Sequence, residues 1–151
     1  VTYHWTQTFP PGEVVKVKHE YHPVVGFEQS QPEPFEKDHP DAGMDQKTRE
    51  YVQKRTAELL KAEPDQGGYF LATWVKYILT TANTWQGPIR DFELIVKKPG
   101  KNPENYITTF SWDGPVERID ATTFRARKTD FEPKQELTVY FLRLALATVP
   151  D

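Results

Sequence analysis

The chain contains no cysteine, which excludes disulfides, thiolate nucleophiles and thiolate zinc ligation. Ser30 and Ser111 are its only serines, and neither lies in the Gly-x-Ser-x-Gly elbow that presents a hydrolase nucleophile. A Gly-rich phosphate loop is also missing, because Gly67-Gly68 precedes a strand pattern and not the start of a helix. No run approaches the roughly 18 apolar residues that a membrane-spanning helix requires, and no charged-then-apolar leader opens the chain. Positive charge is not massed anywhere: 19 Lys and Arg are interspersed among 22 Asp and Glu, for a net charge of -3. Nucleic-acid binding depends on clustered cations that release counterions, so that function is excluded. The run Lys97-Lys98-Pro99-Gly100-Lys101 straddles a turn signal and reads as a solvated hairpin tip.

What is present is aromatic. Aromatic residues make up 13% of the 151 residues and hydrophobic residues 37%, a globular profile, since disordered chains are poor in aromatics. The length suits a single β-rich domain over 1–151. The first residue is Val1, inside a strand pattern and without Met, so the chain is expected to be a piece of a longer protein.

Residues 1–9 alternate, with Val1, Tyr3, Trp5 and Phe9 on one face and Thr2, His4, Thr6 and Thr8 on the other. After Pro10-Pro11-Gly12-Glu13 the alternation resumes with Val15, Val17 and Tyr21 against Lys16, Lys18 and Glu20. Period two with aromatic and β-branched residues predicts an antiparallel hairpin, with Tyr3 opposite Tyr21 and Trp5 opposite His19. Periodicity then lapses over 23–45, where Pro23, Pro32, Pro34 and Pro40 and six acidic residues predict an irregular loop. Asp45 can cap a surface helix over 46–62, with a narrow stripe of Val52, Thr56, Leu59 and Leu60.

Residues 69–81 carry bulky side chains on both faces, the mark of a strand covered on both sides. Residues 89–97 alternate cleanly, with Phe92, Leu94 and Val96 inward. Strands are also expected at 106–112, 122–127 and 137–146, the last apolar on both faces apart from Arg143. About seven strands at intervals of about ten residues predict a mainly β fold, an antiparallel β-sandwich with the helix near 46–62 inserted.

The histidines and carboxylates are the remaining candidates for chemistry. His19 and His22 are three apart on a strand pattern, which sends their side chains to opposite faces and argues against zinc. Glu36, Asp38, His39 and Asp41 offer oxygen ligands at close spacing but lack the ordered Gly and terminal Glu of a calcium loop, so no metal and no cofactor is expected. No pair of carboxylates stands out, and no catalytic residue is named. Trp5, Trp74 and Trp112 sit in strand patterns and read as core. Trp85 is different, because it lies in a turn between Asn83 and Gln86, and Gly87-Pro88 set the chain's exit. It is a ligand platform with Asn83 and Gln86, or a plug folded back over the sheet end, the plug being favoured.

Three stretches, HWTQTFPPGEVVKVKHEYHPVVG, YILTTANTWQGPIRDFELIV and TTFRARKTDFEPKQELTVYFL, carry the spellings Thr8-Phe9-Pro10, Tyr21-x-Pro23-x-x-Gly26 and Trp85-x-Gly87-Pro88-Ile89. Together they resemble the later part of a bacterial family known as domain of unknown function 4424. The resemblance implies an exported protein, periplasmic or secreted, with a leader and an earlier β-rich half upstream. It implies no activity, cofactor or catalytic residue. The function expected is a non-enzymatic envelope binding or structural module with a protein or glycan partner. The alternative is a carbohydrate-active or other hydrolase that uses carboxylates of the acidic segment. Acidic residues clustered in a pocket beside Trp85 would favour the enzyme, and scattered ones the binding module.

Overall fold

The two segments with bulky residues on both faces become the paired central strands of one sheet. In the computed structural model, which describes residues 4, 6–30, 32–62 and 68–146, the strands in chain order are β1 (Gly26–Ser30), β2 (Gly68–Tyr77), β3 (Ile89–Lys97), β4 (Tyr106–Phe110), β5 (Glu117–Arg118), β6 (Thr123–Phe131) and β7 (Leu137–Leu146). They form a four-stranded sheet in the order β1-β2-β7-β4 and a three-stranded sheet in the order β3-β6-β5, with every pairing antiparallel. The protein is mainly β, as expected, and it has the two-sheet arrangement of a sandwich.

β2 and β7 pair along their full length, from Gly68 opposite Leu146 to Tyr77 opposite Leu137. The reason both need apolar residues on both faces is that each side of this sheet is covered. Leu137 and Val139 of β7 face the second sheet and form a core with Val96, against which Leu94, Phe110 and Phe124 pack. Tyr140 and Leu142, on the opposite face of β7, join Phe70 and Ala72 of β2 beneath a helical layer. That layer supplies Phe35, Ala42, Met44 and Val52 to the same cluster. The order of layers is therefore helices, four-stranded sheet, three-stranded sheet.

The helical layer corrects one expectation. Residues 23–45 do not form an irregular loop: they contain β1, the helix α1 (Pro32–Asp38) and a 3-10 turn at Pro40–Ala42. Their prolines do not prevent this, because Pro32 opens α1 and Pro40 opens the 3-10 turn, positions where a missing N–H costs nothing. The second helix, α2 (Gln46–Ala62), has the predicted bounds, and the Thr48 amide donates to Asp45 Oδ1 at 2.8 Å as an N-terminal cap. Of its stripe, Val52 is buried and Thr56 half-buried; the Leu59 and Leu60 side chains lie outside what is described.

The N-terminal hairpin is the second correction. Its turn forms, with Gly12 at φ 78° and the Glu13 amide 3.4 Å from the Pro10 carbonyl. Among the described residues the legs are not strands: residues 6–25 carry none, and Phe9, Val14, Val17 and Tyr21 are exposed. Tyr3 and Trp5, which the expected register placed opposite Tyr21 and His19, lie outside the described residues. The count of seven strands is met instead by β1 and β5.

On the solvent face of the smaller sheet, Arg127 lies 3.2 Å from Asp91 and 3.7 Å from Glu93, and Arg125 lies 2.7 Å from Glu117. Exposed pairs of this kind are worth about 0–1 kcal/mol each, so they specify the outward face more than they stabilise it.

Candidate functional site

The stretch Thr80–Thr84 is too short and polar to continue β2 and closes instead into a 3-10 turn, after which Trp85 returns to extended backbone. Trp85 is 66% exposed. An indole this exposed does not close the sheet end as a plug would. Gly87 takes φ 90°, and open space surrounds the position a Cβ would occupy there. It is the backbone conformation, not crowding, that calls for glycine.

Contacts remote in sequence make this turn stiff. The Glu136 carboxylate accepts the Leu79 amide at 2.5 Å and the Thr80 amide at 3.4 Å, and it also accepts the Thr80 hydroxyl. The Asn83 side-chain amide donates to the Pro133 carbonyl at 2.8 Å, and the Thr84 hydroxyl donates to the Thr81 carbonyl at 2.8 Å. The Asn83 amide nitrogen is thus occupied in holding the turn, while the residue is exposed and lines the cavity beside Trp85. Gln86 is exposed and makes no hydrogen bond among the described residues. Of the three residues expected at the site, Trp85 and Gln86 face solvent, and Asn83 positions them.

The bond from the Thr80 hydroxyl, followed by those from the two amides, holds the Glu136 carboxyl below its ordinary value of 4.5. A carboxyl depressed in the folded state stabilises above its unfolded pKa, and that contribution is lost as the pH falls through the folded value. The expected result of an acid titration followed by amide NMR is that the Leu79 and Thr80 resonances move together with a midpoint below 4.5. A midpoint at or above the ordinary glutamate value would show that the carboxylate does not anchor the turn.

Beside the indole lies a cavity of about 260 Å³ between Trp85 and Pro88 on one side and Phe131, Pro133 and Lys134 on the other. Phe131, Glu132 and Lys134 also line a neighbouring cavity of about 560 Å³ that reaches Trp112 and Lys128. Trp112 is not in the strand expected for it. It stands two residues beyond β4, half-buried, stacked on Phe92 at 5.6 Å and tilted against Phe131 at 5.7 Å. The Lys128 ammonium sits 4.9 Å from the Trp112 ring and 5.1 Å from Phe131, with Asp113 Oδ2 at 3.5 Å. In the wall between, Asp130 adopts φ 47°, and the regular pairing of β3 with β6 omits Arg90 and Asp130.

Three carboxylates of the acidic segment have partners elsewhere. Glu28 bonds His39 Nε2 at 2.9 Å, Glu36 accepts from Arg49 at 2.8 Å, and Asp41 accepts the Tyr140 hydroxyl at 2.8 Å. Burial first, and then this bond to Asp41, push the Tyr140 phenol well above its usual value. None of these carboxylates lines the cavity beside Trp85, where Glu132 is the one acidic residue among those described. No group of three or more metal-ligating side chains comes together among the described residues, and no helix there is long and apolar enough to cross a membrane. Sequence reasoning missed Glu136 and Pro133 as supports of the turn, and no local signal points to them: their partners lie 50 or more residues away.

The fold and this turn define a helix-covered β-sandwich with a rigidly held, solvent-facing indole at one end. The chain belongs to the family of the domain of unknown function DUF4424, whose model matches residues 1–140. No curated protein and no solved structure matches it.

Proposed function

We propose that the protein is a non-enzymatic binding module of the bacterial envelope, exported to the periplasm or beyond, and that the Trp85 turn is its glycan platform. The observation that carries this reading is an exposed indole on a turn anchored by Glu136 and Asn83, at the mouth of a cavity with polar and charged walls. A flat aromatic face stacks on the apolar face of a sugar ring, and the adjacent Gln86 amide and Lys134 ammonium suit its hydroxyls. Because the turn is already held in place, little ordering entropy opposes binding. The placing of acidic residues favours binding over hydrolysis, since Glu28, Glu36 and Asp41 have partners elsewhere in the fold and Glu132 is the one carboxylate among the described residues that line the cavity beside Trp85. Export is supported by the family resemblance, and cell fractionation of the full-length protein tests it.

The expected outcome for Trp85→Ala is loss of retention on the glycans that the parent protein binds on an array, with a melting temperature nearly unchanged, as for other exposed positions. Equal retention by parent and variant would move the site away from this turn. A parent protein that retains no glycan would end the reading.

A further inference from the structure

We infer that the Trp85 site takes a neutral oligosaccharide longer than a disaccharide, laid from the indole across Glu132 and Lys134 into the neighbouring cavity at Asp130; the inference rests on the reading of Trp85 as a glycan platform. The cavity beside the indole holds about 260 Å³, below the roughly 300–1,000 Å³ of pockets that enclose most of a ligand, whereas its neighbour holds about 560 Å³. One ring stacked on Trp85 fills the first cavity, and the second has room for those that follow. The passage between them is built from shared residues. Phe131, Glu132 and Lys134 line both cavities, and the exposed Glu132 and Lys134 flank the buried Pro133 on the divide.

Burial alternates along this segment, with Phe131 and Pro133 buried and Asp130, Glu132 and Lys134 exposed. Those three charged groups make no hydrogen bond or ion pair among the described residues, unlike the others that line the larger cavity. Asp113 faces Lys128 at 3.5 Å, Arg127 lies between Asp91 and Glu93, and Glu136 holds the Trp85 turn. Asp130 is also the one non-glycine residue with positive φ among those described, at 47°, and it stands where the pairing of β3 with β6 lapses. Interruptions of this kind re-aim side chains beside binding sites, and aspartate is one of the few residues that tolerate the left-handed region.

The chemistry of this row selects the ligand. A carboxylate only accepts hydrogen bonds and an ammonium only donates them, whereas a sugar hydroxyl does both. A neutral sugar can therefore bond to all three groups, while a uronic acid would bring its own carboxylate against Asp130 and Glu132. In the larger cavity the Lys128 ammonium covers the Trp112 ring at 4.9 Å and the Phe131 ring at 5.1 Å, so sugars there are held by hydrogen bonds and not by stacking. Asp130 and Glu132 are both exposed, unlike the general acid of a glycosidase, which sits in apolar surroundings, so the row holds the chain without cleaving it.

Calorimetric titration of the whole chain with glucose, mannose and N-acetylglucosamine oligomers of one to four units, and with galacturonate oligomers of the same lengths, tests this. The expected result is that affinity for at least one neutral series rises by about tenfold or more between one and three units, with no heat from galacturonate. Trp85→Ala loses binding at every length. Asp130→Gly keeps the left-handed backbone, removes the carboxylate and reduces the gain with length by about tenfold, the worth of a hydrogen bond to a charged group. Asp130→Asn, which also tolerates that backbone, gives a smaller loss. Circular dichroism shows whether each variant is folded. Galacturonate bound as tightly as the neutral series, or oligomers recovered in shortened form, would overturn the inference. An affinity that depends on Trp85 but not on length or on Asp130 would overturn it and leave the glycan platform standing. No binding in any neutral series would overturn it as well, and retention on the array then decides the platform by itself.

Discussion

Phe35→Ala is expected to destabilise the protein by about 3–5 kcal/mol, the cost of truncating a fully buried phenylalanine and leaving a cavity. Phe35 has 0% exposure although it comes from a proline-rich, acidic stretch. Its ring meets Phe70 edge-on at 5.7 Å and Tyr140 edge-on at 5.8 Å, and it lies 4.6 Å from the His39 ring. Contacts of this geometry add to the burial of area itself. The loss is a large part of the total for a domain whose net stability lies in the range of about 5–15 kcal/mol. Urea denaturation of parent and variant measures it. Phe27→Ala is the comparison: that phenylalanine is in β1 but 63% exposed, and its loss is expected to cost less than about 1 kcal/mol. If Phe35→Ala costs no more than Phe27→Ala, the helical layer is not part of the cooperative core.

The Phe35 result bears on how the sequence announces its fold. The period-two pattern of β3, the Asp45 cap that opens α2 and the doubly apolar pattern of β2 and β7 are local signals, and each led to the right element. The pattern of β2 also implied a cover for its second face, but the source of that cover was illegible. Proline at the first position of a helix and proline in a loop look alike until the segment has a sheet to dock on. The N-terminal leg shows the converse. Its alternation licenses a strand, but a strand needs a partner, and the short-range pattern does not say whether one is on offer within the same chain. At the Trp85 turn the position of the loop was legible from Gly87-Pro88, whereas the outward direction of the indole was not. The turn that carries it is anchored by Glu136 and Pro133, which reach it only through the fold. The size of an indole argues for burial, yet Trp85 is exposed on a turn that these hydrogen bonds from a distant loop hold in place.

Gly43→Ala is expected to cost about 2–5 kcal/mol, although it adds a single methyl group. Gly43 ends the 3-10 turn at φ 62°, and leaving the right-handed region costs a residue with a Cβ about 1–2 kcal/mol. A second cost of about 1–3 kcal/mol comes from overpacking, because a Cβ at this position would stand 2.7 Å from the Phe110 carbonyl oxygen. That oxygen cannot easily retreat. Phe110 is paired with Val139 at the end of β4, and its ring lies edge-on to Phe124 at 5.6 Å in the core between the sheets. Relief must therefore come from the turn itself, which would pull Ala42 and Met44 out of the cluster they form with Tyr140 and Leu142. Gly12→Ala separates the two costs, since Gly12 also has positive φ, at 78°, but nothing lies within 4 Å of its added Cβ. Thermal and urea denaturation should show Gly43→Ala to be the worse of the pair by about the overpacking cost of 1–3 kcal/mol. Equal losses at the two glycines would mean that the contact between the 3-10 turn and β4 is loose enough to absorb a methyl group.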